Sequence, residues 1–155
     1  MENAIGSNWK FYHVAVIVKD MDKAKRKYGS IFGESIFRPE TMLDTSAFSV
    51  YEVYRKPTST VHKSRFNHTD IGADKLDVEF ISPVEGDSIY RDFLNKNGEG
   101  IHHIAFLVDD LDAETDKLVA RGIPVITSVK RPTGRGFAYF DFGDCLIELV
   151  GPVKV

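Results

Sequence analysis

Cysteine occurs once in the 155 residues, at Cys145. A single cysteine excludes an internal disulfide, and its place in the apolar run Cys145-Leu146-Ile147 suggests a packed, unreactive thiol. Apolar runs of the roughly 18 to 20 residues that cross a bilayer are also missing. The first residues, Met1 to Asn8, have neither the basic region nor the apolar core of a secretory leader, so a cytoplasmic protein without membrane partners is expected. Neither sign of charge prevails: 20 basic residues stand against 23 acidic ones, a formal net charge of -3. The strongly basic footprint of a nucleic-acid binder is therefore absent. What is present is an apolar fraction of 43%, enough for the core of one compact domain or of two small halves that share one.

The chain repeats itself. Phe11-Tyr12-His13-Val14-Ala15-Val16-Ile17-Val18-Lys19-Asp20-Met21-Asp22 returns as Ile101-His102-His103-Ile104-Ala105-Phe106-Leu107-Val108-Asp109-Asp110-Leu111-Asp112, with His13 on His103, Ala15 on Ala105 and Asp20 on Asp110. In each copy a short β-branched and apolar run reads as a strand, followed by an aspartate able to cap a helix. The first helix is expected over about Met21 to Phe32, ending at Gly33, and the second over Leu111 to Arg121, ending at Gly122. Strands are expected at Ser35 to Arg38, Ser46 to Arg55 and Lys75 to Ser82. They recur at Pro124 to Ser128, Gly136 to Phe142 and Cys145 to Val150. The polar stretch from about Lys56 to Asp74 reads as a long hairpin loop, with His62 and His68 on its surface. Each half is then strand, helix, strand, strand, strand. The repeats cover about residues 9–82 and 100–152, and a connector at about 83–99 carries a short helix, Ile89 to Asn95.

Alternation along the strand places His103, Ala105 and Leu107 on one face and the bulkier Ile104, Phe106 and Val108 on the other, which should pack on the helices. His13 shares its face with Ala15 and Ile17, and Glu79 shares its face with Asp77 and Ile81. Glu148 sits within Leu146-Ile147-Glu148-Leu149-Val150, where an unpaired carboxylate is costly, so a cation is expected beside it. If the halves pair about a pseudo-twofold axis, His13, Glu79, His103 and Glu148 come to equivalent places facing a common cavity. Two imidazoles and two carboxylates suit a divalent ion such as Mn, Co, Ni, Fe or Zn and leave two positions open if the ion is octahedral. His102, pointing the other way, is expected to be structural.

These residues resemble the vicinal oxygen chelate superfamily and, within it, the methylmalonyl-CoA epimerase branch. The likeness rests on Glu79-Phe80-Ile81-Ser82-Pro83, on Asp87-Ser88-Ile89 leading to Phe93-Leu94, on Asn97-Gly98-Glu99-Gly100-Ile101-His102-His103-Ile104-Ala105-Phe106 and on Leu146-Ile147-Glu148-Leu149. The resemblance implies an α+β fold in which two βαβββ repeats form a cupped mixed sheet around a metal held by His13, Glu79, His103 and Glu148. It also implies a homodimer, and an activity in which a proton leaves and returns at C2 of an acyl-CoA thioester while the metal stabilises the enolate. Glu148 would be one carboxylate exchanging that proton. The family's Glu-Gln-Gly-Val segment is absent, and Glu40 or Asp44 stands near its place as the second. Lys130, Arg131 and Arg135 lie in a loop where they either meet the CoA phosphates or are simply solvated. A glyoxalase I-type lyase and a metal-free bleomycin-resistance-type binding protein are the alternatives. A dioxygenase fits less well, because its iron normally leaves a third position open.

Overall fold

The computed structural model of the protein describes residues 4–154. In chain order the elements are β1 (Lys10–Ile17), α1 (Met21–Phe32), β2 (Thr41–Asp44), β3 (Val50–Val53), β4 (Lys56–Pro57), β5 (Lys63–Asn67), β6 (Val78–Glu85), α2 (Ile89–Asn97), β7 (Gly100–Leu107), α3 (Leu111–Ala120), β8 (Val125–Lys130), β9 (Arg135–Asp141) and β10 (Leu146–Pro152), with 3-10 turns at Glu34–Ile36 and Thr45–Ala47. This is a mixed α+β fold. Among the described residues no helix is long and apolar enough to cross a membrane.

The chain forms two compact units that interleave in sequence. The first comprises His13–Ser46 and Thr60–His102; the second comprises the described residues of Met1–Tyr12, Ala47–Ser59 and His103–Val155. In the first unit β2 pairs antiparallel with β5, β5 antiparallel with β6, and β6 parallel with β1. Helix α1 begins where the Asp20 carboxylate accepts a hydrogen bond from the Lys23 backbone at 2.9 Å. Its apolar side, Met21 and Ala24, packs with Val18 and Phe80 and with the half-buried Val16, Tyr28, Phe37 and Val78.

The second unit is built to the same plan. Strand β7 pairs parallel with β10, and β9 and β8 follow antiparallel. Asp110 caps α3 by accepting from the Ala113 backbone, again at 2.9 Å. Leu111 and Leu118 of that helix bury against Val108, Val125, Ala138, Phe140 and Leu149, with Phe106 packed alongside. The bulky face of the β7 sequence therefore meets its helix, as alternation along the strand requires.

Three local expectations need correction. Ser35–Arg38 is not a strand: Gly33, at φ 91°, leads into the Glu34–Ile36 turn, and only Phe37 makes an isolated bridge, to Thr69. The stretch after Lys56 is not simply a loop either, because it holds β5. Its buried positions are polar, Ser64 and Asn67, with Thr69 just beyond, so it carries no apolar alternation. Their burial is supported where the Asn67 amide donates to the Arg38 carbonyl and the Thr69 hydroxyl to the Val78 carbonyl, both at 2.8 Å. Lastly, the Ser46–Arg55 region yields only β3. Tyr54 and Arg55, at φ 48° and 62°, turn the chain into β4, as a two-residue hairpin of the right twist demands. Strand β3 pairs not with its sequence neighbours β2 or β5 but with β8, Val50 opposite Lys130.

Candidate metal centre

Each unit builds a histidine–glutamate pair in the same way. In the first, parallel pairing of β1 with β6 sets Ala15 opposite Glu79, and His13 stands two residues before that alanine. The small side chain leaves room for the carboxylate to reach the imidazole, and His13 Nε2 lies 3.2 Å from Glu79 Oε2. In the second, β7 and β10 set Ala105 opposite Glu148, and His103 Nε2 lies 3.2 Å from Glu148 Oε2. All four side chains are buried: His13 2%, Glu79 5%, His103 0% and Glu148 6% exposed. The neighbour found beside Glu148 is that imidazole, which carries a charge only when protonated.

The surroundings of the two pairs differ. The His103 ring stands edge-on to Tyr139, 4.9 Å between centroids, and Tyr139 lies directly opposite Glu148 in the β9–β10 ladder. Phe137 extends this aromatic wall and meets Phe48 from the Ala47–Ser59 segment, at 6.0 Å. In the first unit the added group is a third histidine. His68, placed just past β5, reaches Glu79 Oε1 with Nε2 at 3.0 Å and donates from Nδ1 to both oxygens of Asp77 at 3.0 and 3.2 Å. Asp77 also accepts from Arg38 at 3.1 Å, and Arg38 binds Asp70 at 2.6 Å.

Burial opposes charge on Glu79, yet the hydrogen bonds from His13 and His68 outweigh it and hold the carboxyl far below its usual range. Burial likewise pulls the His68 imidazole down, but its bonds to Asp77 and Glu79 prevail and raise it to about 9. His68 is thus half-buried beside the His13–Glu79 pair, and not the surface residue that its polar neighbourhood suggests. His62 is no surface residue either: it is 4% exposed and packs on Tyr90, and burial lowers its pKa. His102 lies between Tyr90 and Phe93. Cys145 has its thiol pushed up by burial and then by Asp144, which fits an unreactive group.

The profile of the glyoxalase/bleomycin resistance protein/dioxygenase superfamily matches residues 12–140. The chain belongs to this superfamily. Its glyoxalase-like fold is shared with the methylmalonyl-CoA epimerase of Mycobacterium tuberculosis, at a TM-score of 0.67 and 22% identity over 94% of this chain and 89% of that one. A solved methylmalonyl-CoA epimerase in complex with methylmalonyl-CoA and ammonium is similar at a TM-score of 0.61 and 23% identity, covering 93% and 94% of the two chains. By sequence, the ethylmalonyl-CoA/methylmalonyl-CoA epimerase of Cereibacter sphaeroides is 26% identical over 144 residues, 88% of this chain and 93% of the relative.

The remaining candidates of this superfamily member are placed less simply. Glu40 is held by Lys25 at 2.6 Å and by Arg65, whose guanidinium also bridges to Asp22 at 2.8 Å. The Arg65 hydrogen bond outweighs partial burial and, with Lys25, lowers the Glu40 carboxyl from its ordinary value of 4.5. Asp44 accepts from the Ser46 hydroxyl at 2.6 Å and from its backbone at 3.0 Å, and these bonds lower it too. A proton acceptor works best with a pKa near the working pH, so neither carboxylate is tuned for that task as it stands. Lys130 is paired with Asp112 at 3.0 Å, and Arg131 lies over the rings of Phe137 and Phe48 at 5.6 and 5.8 Å. Arg135 opens β9 and is exposed.

The Glu40 cluster gives a testable pH dependence. Because the folded pKa is depressed, its stabilisation is complete above about 4.5 and is lost as the pH falls through the lower folded value. Glu40→Gln should therefore cost up to about 1 kcal/mol at neutral pH, discounted for partial exposure. The difference from wild type should shrink between neutral pH and an acidic pH below the depressed folded value, where both carry a neutral side chain. Urea unfolding at the two pH values measures it.

Proposed function

We propose that the protein is a metal-dependent epimerase of an acyl-CoA thioester, of the methylmalonyl-CoA kind, with His13, Glu79, His103 and Glu148 as its metal ligands. The observation that carries this reading is the duplicated pair, a buried imidazole at 3.2 Å from a buried carboxylate in each unit. The donor set fits a divalent cation. Two imidazoles are borderline ligands for Co, Ni, Zn or Fe, and two buried carboxylates supply the charge that offsets the ion. The epimerase relatives support the acyl-CoA part of the reading.

Bound there, the cation would act as a Lewis acid for the oxygen that gains charge when C2 loses its proton. The rest falls to the chain. Glu148, among apolar neighbours and beside His103, would exchange the proton on one face. Asp44 or Glu40 would serve the other face only after release from Ser46 or from Arg65 and Lys25. Arg131 and Arg135 are the cations left for the phosphates of a CoA tail, since Lys130 is engaged by Asp112. The aromatic wall of Phe48, Phe137 and Tyr139 would shield the Glu148 side of the second unit from water.

The test is isotopic. Protein loaded with Co, Mn, Ni, Zn or Fe in turn and incubated with methylmalonyl-CoA in deuterium oxide should incorporate deuterium at C2, and should cease to do so after chelation. Absence of exchange with metal demonstrably bound would overturn the epimerase reading. Turnover of methylglyoxal with glutathione in its place would mark a glyoxalase I-type lyase. Binding of no metal at all, with the four ligands intact, would point to a sequestering protein of the bleomycin-resistance kind.

A further inference from the structure

The first unit holds more coordinating chemistry than the duplicated pair accounts for. Both oxygens of Glu79 are gripped by imidazole nitrogens of the same type, Oε2 by His13 Nε2 at 3.2 Å and Oε1 by His68 Nε2 at 3.0 Å. The two rings lie 5.2 Å apart between centroids and are inclined at 70°. Donor atoms of His13, His68 and Asp77 all fall within 4.8 Å of one another. We propose that His68 is itself a metal ligand, so that the first unit presents His13 Nε2, His68 Nε2 and a Glu79 oxygen to one cation. The inference rests on the metal-dependent reading above and deepens it.

The far side of the His68 ring is what distinguishes a ligand from a bystander. A metal-binding histidine nearly always donates its second ring N–H to a carboxylate or carbonyl, which fixes the tautomer and aims the other nitrogen. His68 does this through Nδ1, at 3.0 and 3.2 Å from the two oxygens of Asp77. Asp77 is 8% exposed and is fixed in turn by Arg38, at 3.1 Å, which a further bond of 2.6 Å ties to Asp70. A chain of four side chains thus sets the direction of one nitrogen. The strand geometry agrees: Asn67 lies opposite Phe80 in the β5–β6 ladder, so the next residue along β5 falls beside Glu79. On coordination the Nε2 proton passes to solvent and the cation takes its place between His68 and Glu79.

A third imidazole changes which ions the centre prefers. Nitrogen-rich sites favour Ni, Cu and Zn, whereas Mg and Mn are best served by carboxylates and water. The protein should accordingly retain zinc through gel filtration in buffer containing excess magnesium.

The decisive experiment loads the full chain with one equivalent of Cu(II) and counts coordinated imidazoles by pulsed electron paramagnetic resonance. Wild type should show three, from His13, His68 and His103, and His68→Gln should show two. In parallel, competition with a chromophoric chelator should show zinc binding about 10- to 100-fold weaker in His68→Gln. Two imidazoles in wild type would overturn the inference without recourse to any variant. So would weaker binding in His68→Gln with the count unchanged, since His68 would then act only by holding Glu79. Failure of wild type to bind copper or zinc at all is a different result. It would remove the metal-dependent reading itself, and this inference with it.

Discussion

Replacing His103 with alanine should abolish the C2 exchange, lowering it by at least about a hundred- to a thousandfold, the usual effect of deleting one preorganised electrostatic contact at a reacting centre. The residue is fully buried, its Nε2 is 3.2 Å from Glu148, and its ring is fixed by Tyr139. Deletion removes a proposed ligand and leaves Glu148 buried without its imidazole, so metal content should fall together with activity. The adjacent His102→Ala is the control. That ring packs between Tyr90 and Phe93, and its loss should affect packing around α2 while metal content stays at the wild-type level. Metal analysis and deuterium incorporation on both variants measure the contrast. A His103→Ala protein that retains stoichiometric metal would overturn the ligand assignment.

The largest effect on stability is expected at Phe140. It is fully buried in β9, with Val125 and Ile147 as its register partners, and it packs in the apolar cluster around Leu111, Leu118 and Leu149. Truncation to alanine removes most of a large side chain from a close-packed site, which typically costs about 3–5 kcal/mol, cavity included. For a chain of this size that is a fall in melting temperature on the order of 10 °C. Phe140 is one residue from Tyr139 and faces the other way along the strand, so metal content measured well below the transition should be close to wild type. Calorimetry supplies the first number. A loss below about 1 kcal/mol would mean that the site collapses around the deletion.

The parts legible in the sequence were those in which apolar periodicity and chemistry coincide. The repeat aligned Asp20 with Asp110, and both cap helices; it aligned His13 with His103, and each meets a glutamate across a parallel pair of strands. The misreading of β5 has a different cause, namely buried polar side chains, which no single-sequence pattern displays. Strand β5 buries Ser64 and Asn67, so it looked like a loop, and His68 at its end looked exposed for the same reason. One clue to His68 was available. Asp77 and Glu79 alternate onto one face of β6, and two neighbouring carboxylates there required a cationic or donor partner from the next strand. The destination of Ala47–Ser59 could not be read, because a β-rich run does not name the strand it will pair with.

That segment bears on how the chain reaches its native state. Ser49 donates to the Lys130 carbonyl across 81 residues of sequence, and β3, with β4 on its other side, pairs with β8, a strand that follows Gly100. During synthesis β3 is made well before its partner β8 exists, so the edge that pairs with β8 stays unpaired until then. Pairings of such long range slow folding and extend the time over which a bare strand can find the wrong neighbour. An N-terminal fragment cut at the connector would keep that edge permanently. The two sequence repeats therefore do not correspond to two separable folding modules, and recombining them with halves from related proteins must carry the 47–59 segment along with the C-terminal half that receives it.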